Sequence, residues 1–222
     1  MTRKLKVLAL SVVALLAVAA VAAPVAFAEK FHFGLGAQDT IFTGAQDGQD
    51  AMAVDSGKLL CNSITYKGEV FALSKTTPVF DAIPTYTGCK FNNVNATVDP
   101  NACSFLFNAE MVESGKFEGS ADIFCTDQKP MKVTAVGCTI TIFEQAQLKK
   151  VTYTNLGTGA KQEITIDLNL SGITYEEDNV APFNQCQNPG KKTTNGTYIG
   201  AILMSGEEKL NNQTGIWAQG TP

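Results

Sequence analysis

Six cysteines, one histidine and a scatter of carboxylates are the residues of this chain with the means to do chemistry. The cysteines are Cys61, Cys89, Cys103, Cys125, Cys138 and Cys186. An even count without a C-x-x-C motif reads as three disulfides formed in an oxidising compartment. A zinc site would need widely scattered all-cysteine ligands, because His32 is the only histidine. Six cysteines allow many connectivities. Cys125 and Cys138 flank a turn at 126–130, and Cys89 and Cys103 flank turns at 92–93 and 99–101. The expectation is therefore Cys125 with Cys138, Cys89 with Cys103, and Cys61 left with Cys186.

Nucleophilic and metal chemistry find little else. Any Ser-His-Asp or Cys-His mechanism must use His32, which has no partner motif around it. No G-x-S-x-G, P-loop or H-E-x-x-H occurs. Paired carboxylates need no histidine, but a glycosidase holds them roughly 5–9.5 Å apart. Glu163 and Asp167 share one face of a predicted strand at a separation of roughly 13 Å. Asp167 could instead meet Glu69 or Glu118 from a neighbouring strand. The acidic stretches Gln46–Asp50 with Asp55, and Glu176–Asp178, offer oxygen ligands of the kind calcium takes, without EF-hand spacing. They read as hydrated loop acids, so no catalytic, metal or cofactor residue is expected. Trp217 and Tyr66, Tyr86, Tyr153, Tyr175 and Tyr198 have ring faces that could stack on sugars, yet in strands such rings more often pack.

The elements that must position these residues are strands. From Glu163 to Ser171 apolar and polar residues alternate, with Ile164, Ile166, Leu168 and Leu170 on one face. At Gly172 the apolar register slips to Ile173 and Tyr175, which predicts a bulge. Similar short runs end at Gly, Asn, Asp or Pro throughout the chain. No segment has capped helical periodicity; 143–150 would make two turns at most. The predicted fold is all-β: about 12 antiparallel strands in a two-sheet sandwich, jelly-roll or Greek-key-like. Residues 74–84 and 176–194 read as loops, where binding usually resides.

The N-terminus gives an address. Arg3, Lys4 and Lys6 precede an apolar run from Val7 to Ala23, and Ala26-Phe27-Ala28 supplies a signal-peptidase site. Residues 1–28 read as a signal peptide cleaved after Ala28, with 29–222 as one secreted domain. A retained anchor is the alternative, since the run approaches the length of a bilayer span. Removal of three of the 17 basic residues leaves 14 against 21 acidic ones, a net charge of −7. That balance disfavours nucleic acid and anionic lipid, which need clustered Lys and Arg.

A series of motifs runs in order through the mature chain: Tyr86-Thr87-Gly88-Cys89, Asn101-Ala102-Cys103-Ser104-Phe105, Ile123-Phe124-Cys125, Gly137-Cys138-Thr139-Ile140, Val151-Thr152-Tyr153-Thr154-Asn155 and Gly196-Thr197-Tyr198-Ile199-Gly200. Their order and spacing resemble a group of exported, cysteine-containing β proteins of high-GC Gram-positive bacteria, a family without known function. The resemblance implies export and a bacterial origin and assigns no activity, cofactor or site residue.

The function expected from the residues is that of a non-enzymatic extracellular interaction or surface domain. It would bind a glycan or protein through loops at one end of a rigid scaffold. The alternatives are a carboxylate-dependent glycan hydrolase on a jelly-roll and a structural envelope protein.

Overall fold

The computed structural model describes residues 31–35, 40–70, 76–113, 116–158, 162–208 and 213–220. The expected signal segment, 1–28, lies outside them. The described residues form eighteen strands: β1 (Phe31–Leu35), β2 (Thr40–Gln46), β3 (Ala51–Val54), β4 (Gly57–Leu60), β5 (Ser63–Val70), β6 (Thr76–Thr77), β7 (Val79–Thr87), β8 (Lys90–Phe91) and β9 (Val94–Asp99). They continue with β10 (Cys103–Glu113), β11 (Lys116–Cys125), β12 (Met131–Ala135), β13 (Cys138–Ile142), β14 (Gln145–Leu156), β15 (Glu163–Asn179), β16 (Lys192–Glu208), β17 (Gln213–Thr214) and β18 (Ile216–Gly220).

Fifteen of these belong to one antiparallel sheet, and the ladder closes on itself. Following neighbours from β2 gives β5, β7, β10, β11, β14, β15, β16 and then β2 again. The shorter strands repeat the circuit one level up: β3, β4, β8, β9, β12, β13, β15, β16 and back to β3. Each short strand continues a long one across a bend. The chain thus makes eight bent up-and-down segments: 40–54, 57–70, 79–91, 94–113, 116–135, 138–156, 163–179 and 192–208. This is an eight-stranded closed barrel, which leaves no long sheet edge in its wall.

The two-sheet sandwich of about 12 strands is therefore corrected to a single closed sheet. Alternation tells which side chains are inside, but the opposing layer can be a second sheet or the far wall of the same one. The expected strand at 163–171 forms, its four even apolar residues are buried, and Gly172 (φ +80°) marks the register shift. The two expected loops shrink. Pro84 lies inside β7, beyond the last residue paired with β10, and only 180–191 is irregular between β15 and β16.

The lower half of the barrel is filled with aromatic rings. Phe42 meets Phe80 edge-on at 5.0 Å, Phe80 meets Phe107 at 5.1 Å, and Tyr66 and Tyr153 are buried beside them. Outside stand Lys67, Glu69 and Asp167, all exposed. A membrane barrel presents an apolar band on its outer face; these three outer positions are charged instead. Strands β1, β6 and β18 form a small separate sheet that packs against β7, β10, β14, β15 and β16. Asn155 ties it down by bonding both the N–H and the C=O of Ala218 at 2.7 and 2.8 Å, and the Trp217 ring lies over Gly34, filling the space a Cβ would need.

All six cysteines are paired, as Cys61–Cys89, Cys103–Cys125 and Cys138–Cys186. This corrects the expected pairing, and the reason is register. The β8–β9 turn places Cys89 beside Ala96, whose N–H donates to the Cys89 carbonyl, so Cys103 lies further along the chain, beyond the turn that separates β9 from β10. The β12–β13 turn likewise sets Cys138 opposite Ala135, far from Cys125. Cys103 and Cys125 are direct partners in the β10–β11 ladder.

Candidate functional site

Four connections lie at the upper end of the barrel: the β3–β4, β8–β9 and β12–β13 turns and the long 180–191 loop. The loop contains a cis Ala181–Pro182 bond and is held from three sides. The Cys138–Cys186 disulfide ties it to the β12–β13 turn. The Gly137 carbonyl accepts from the N–H groups of Val180 (3.1 Å) and Gln185 (2.9 Å). Gly137 itself needs a positive φ of +79°, and a Cβ there would sit 2.9 Å from Phe183 Cβ. The third hold is a buried polar cluster. Ser56 donates its hydroxyl to Glu177 Oε2 and its N–H to Glu177 Oε1, while the Gln187 N–H donates to Ser56 Oγ at 2.6 Å. Glu177 is 1% exposed, and the Asn188 N–H completes its shell at 3.4 Å.

A second cluster extends this hold toward solvent. Asp55 accepts from Asn188 Nδ2 at 2.8 Å and Asn195 Nδ2 at 2.7 Å. The Tyr175 hydroxyl donates to Asn195 Oδ1 and accepts from the Asp55 N–H. Those amide donors, Asn195 first, hold the Asp55 carboxyl below the usual carboxylate range. The loop so braced presents apolar side chains outward: Phe183 is 61% exposed, with Val180 beside it and Val136 and Val94 exposed on the neighbouring turns. Exposed apolar groups gathered on rigid turns mark contact surfaces more often than isolated ones do.

The upper half of the barrel interior holds a cavity of about 40 Å³, lined by Met52, Leu59, Ile64, Met131, Ile142 and Leu170 among others. Its polar groups are those of Asp50, Tyr198 and Tyr86. Asp50 ends a bulge: residues 47–50 stand opposite Gly200 and Ala201 alone, because Gln46 pairs with Ile202 and Ala51 with Ile199. The Tyr198 hydroxyl donates to Asp50 Oδ2 at 2.7 Å, the Ala201 N–H reaches Oδ1 at 3.2 Å, and Tyr66 in turn donates to Tyr198. Gly200 permits this, since a Cβ there would lie 2.2 Å from Asp50 Oδ1. Burial raises the Asp50 carboxyl above its ordinary range, against the two hydrogen bonds that lower it, and burial lifts the Tyr198 and Tyr66 hydroxyls further still.

The acids flagged in the sequence are therefore dispersed. Asp50 points inward, Asp55 and Glu177 hold the loop, and Asp47 and Asp178 are exposed. Among the described residues no group of three His, Cys, Asp or Glu converges on a metal position. Glu69 does not approach Asp167. It shares a shallow outer groove with Asp81, Lys67 and Ile83, whose lining holds no aromatic ring. Glu118 and Asp167 lie one strand apart, with Thr152 registered between them. The backbone at His32 pairs with Gln219 in the small sheet. Sequence reasoning placed Asp50 among hydrated loop acids and Tyr198 among packing strand rings, and missed Phe183; the available signals were an acid directly before the apolar run 51–54, and a Pro-Phe pair within a polar loop. No family model, curated protein or solved structure matches the chain.

Proposed function

We propose that this chain is an exported, non-enzymatic interaction domain that binds an extracellular protein through the upper end of its barrel. The observation that carries the reading is Phe183, 61% exposed on a loop fixed by a disulfide, two bonds to one carbonyl and a buried serine–glutamate pair. A rigid loop loses little entropy on binding, so an exposed ring there is a ready anchor. Apolar tips suit a protein partner better than a glycan, which needs ring faces edged by polar groups. Three disulfides fit an oxidising compartment, in keeping with export and cleavage after Ala28. The resemblance to exported bacterial β proteins supports the same address.

The glycan hydrolase reading finds less support. The groove that holds Glu69 and Asp81 lies on the outer wall without an aromatic platform.

A photo-crosslinking residue placed at 183, and for comparison at Thr85 on the outer wall, tests the proposal on intact producing cells. A discrete partner captured from 183 and not from 85, and lost with Val136→Ser and Val180→Ser at unchanged melting temperature, is expected. Equal capture from both positions, or none from either, would overturn it.

A further inference from the structure

The interior of the barrel raises a question separate from the loops: what neutralises Asp50. Its side chain is 2% exposed and makes two hydrogen bonds, one from the Tyr198 hydroxyl and one from the Ala201 N–H. Among the described residues its interactions include no lysine or arginine. Buried carboxylates in proteins are paired with a cation or lose their charge, because an unpaired ion is costly to desolvate. A carboxylate has room for about four acceptor contacts, and two of them are made.

The space in front of Asp50 has a definite chemistry. Beyond the hydroxyls of Tyr198 and Tyr86, the latter donating to Met131 Sδ at 3.8 Å, the lining is aliphatic, thioether and aromatic, supplied by residues such as Met52, Met131, Ile173 and Leu170. A group that fits must carry donors or positive charge at one end and an alkyl body at the other. The volume, about 40 Å³, is roughly a quarter of the ~150 Å³ that accommodates benzene. This restricts an occupant to a few heavy atoms, with the two flexible methionines able to yield further.

The wall is least continuous on the same side. At 47–50 the ladder between β16 and the strand segment 40–54 is interrupted, and four residues bulge away opposite two. Gly48 in that bulge has a φ of +94° and open space around it. One backbone bond, from the Asp47 N–H to the Ala201 carbonyl at 2.7 Å, closes the gap.

We infer that the upper barrel cavity is a binding site for a small primary alkylammonium ion, with Asp50 as counter-ion and the apolar lining around its alkyl chain. The Tyr66–Tyr198–Asp50 chain of hydrogen bonds fixes the carboxylate so that its free lone pairs face the cavity. The ammonium supplies the charge the protein lacks there, and the short chain displaces nothing polar.

The test is titration of the mature protein with n-propylammonium, n-propanol and propionate, followed through the methyl NMR signals of Met52 and Met131. Saturable shifts of both methyls with propylammonium, at least tenfold tighter than with propanol and absent with propionate, are the expected result. Asp50→Asn should lower the ratio of propylammonium to propanol affinity by about tenfold. Equal affinity for propylammonium and propanol, preference for propionate, or no shift of either methyl would overturn the inference. The ligand comparison needs no variant, so a poorly folding Asp50→Asn protein does not protect the idea. Crosslinking at 183 reads the loop end alone, so either proposal can fail without the other.

Discussion

The Ser56 hydroxyl and the Glu177 carboxylate, 121 residues apart in sequence, meet at 2.5 Å in the interior of the upper barrel end. Ser56 comes from the β3–β4 turn and Glu177 from β15. Their bond joins opposite stretches of the chain and positions the Gln187 backbone, and with it the loop carrying Phe183. Both glutamate oxygens accept only from donors, so the site tolerates neither a lost hydroxyl nor an added N–H.

Ser56→Ala should therefore lower stability by about 1–3 kcal/mol, since it strands the Gln187 N–H and leaves Glu177 Oε2 only the long bond from Asn188. Glu177→Gln should cost a similar amount because its amide must face a donor. Urea unfolding of the two variants and the double variant gives the measurement. Strongly sub-additive losses are expected, as the residues act through one bond.

Replacing Cys138 and Cys186 together by serine opens a closed loop spanning 48 residues. The chain-entropy argument puts the loss at about 4 kcal/mol. Limited proteolysis should then cut within 180–191, where the oxidised protein resists. Peptide mapping of the untreated protein should recover Cys61 joined to Cys89 and Cys103 joined to Cys125.

Asp50 makes stability depend on pH with a definite sign. Its folded carboxyl titrates above the ordinary 3.8, so the protonated form is favoured in the folded state. Its contribution is present in full below 3.8 and lost as pH rises through the folded value. Asp50→Asn should remove that dependence, so the stability of the variant relative to the unaltered protein should rise as pH increases from about 4. Melting temperatures of both across this range decide it; parallel curves would mean the carboxyl is not desolvated.

Phe107 is fully buried between Phe80 and Phe105, with ring centroids at 5.1 and 6.3 Å. Phe107→Ala should destabilise the barrel by about 3–5 kcal/mol. Thr165→Ala, on the outer face of β15, should change stability by less than about 0.5 kcal/mol. Guanidinium unfolding of the pair separates inner from outer positions.

Much of this architecture could be read from the residues in order. The two-residue beat over 163–171 named the buried set correctly, down to the slip at Gly172, because pleating sends successive side chains to opposite faces whatever the sheet becomes. The even cysteine count gave three disulfides. Partner choice was illegible, since a turn motif shows that strands reverse and not which residues end up opposite; a hairpin offset by a few residues put Cys89 beside Ala96 instead of Cys103. Asp50 and Glu177 looked like members of loop clusters, for burial of an acid depends on what the rest of the chain brings over it.

By itself, then, the sequence determined local geometry: strands, their inner faces, a bulge and the cysteine inventory, all set by neighbours within a few residues. Tertiary structure decided closure of the sheet into a barrel, the disulfide partners, the enclosed carboxylate and the braced loop. The disulfides join residues 22 to 48 positions apart and the other contacts span up to 162, and nothing short-range in the chain encodes the register at which such segments meet.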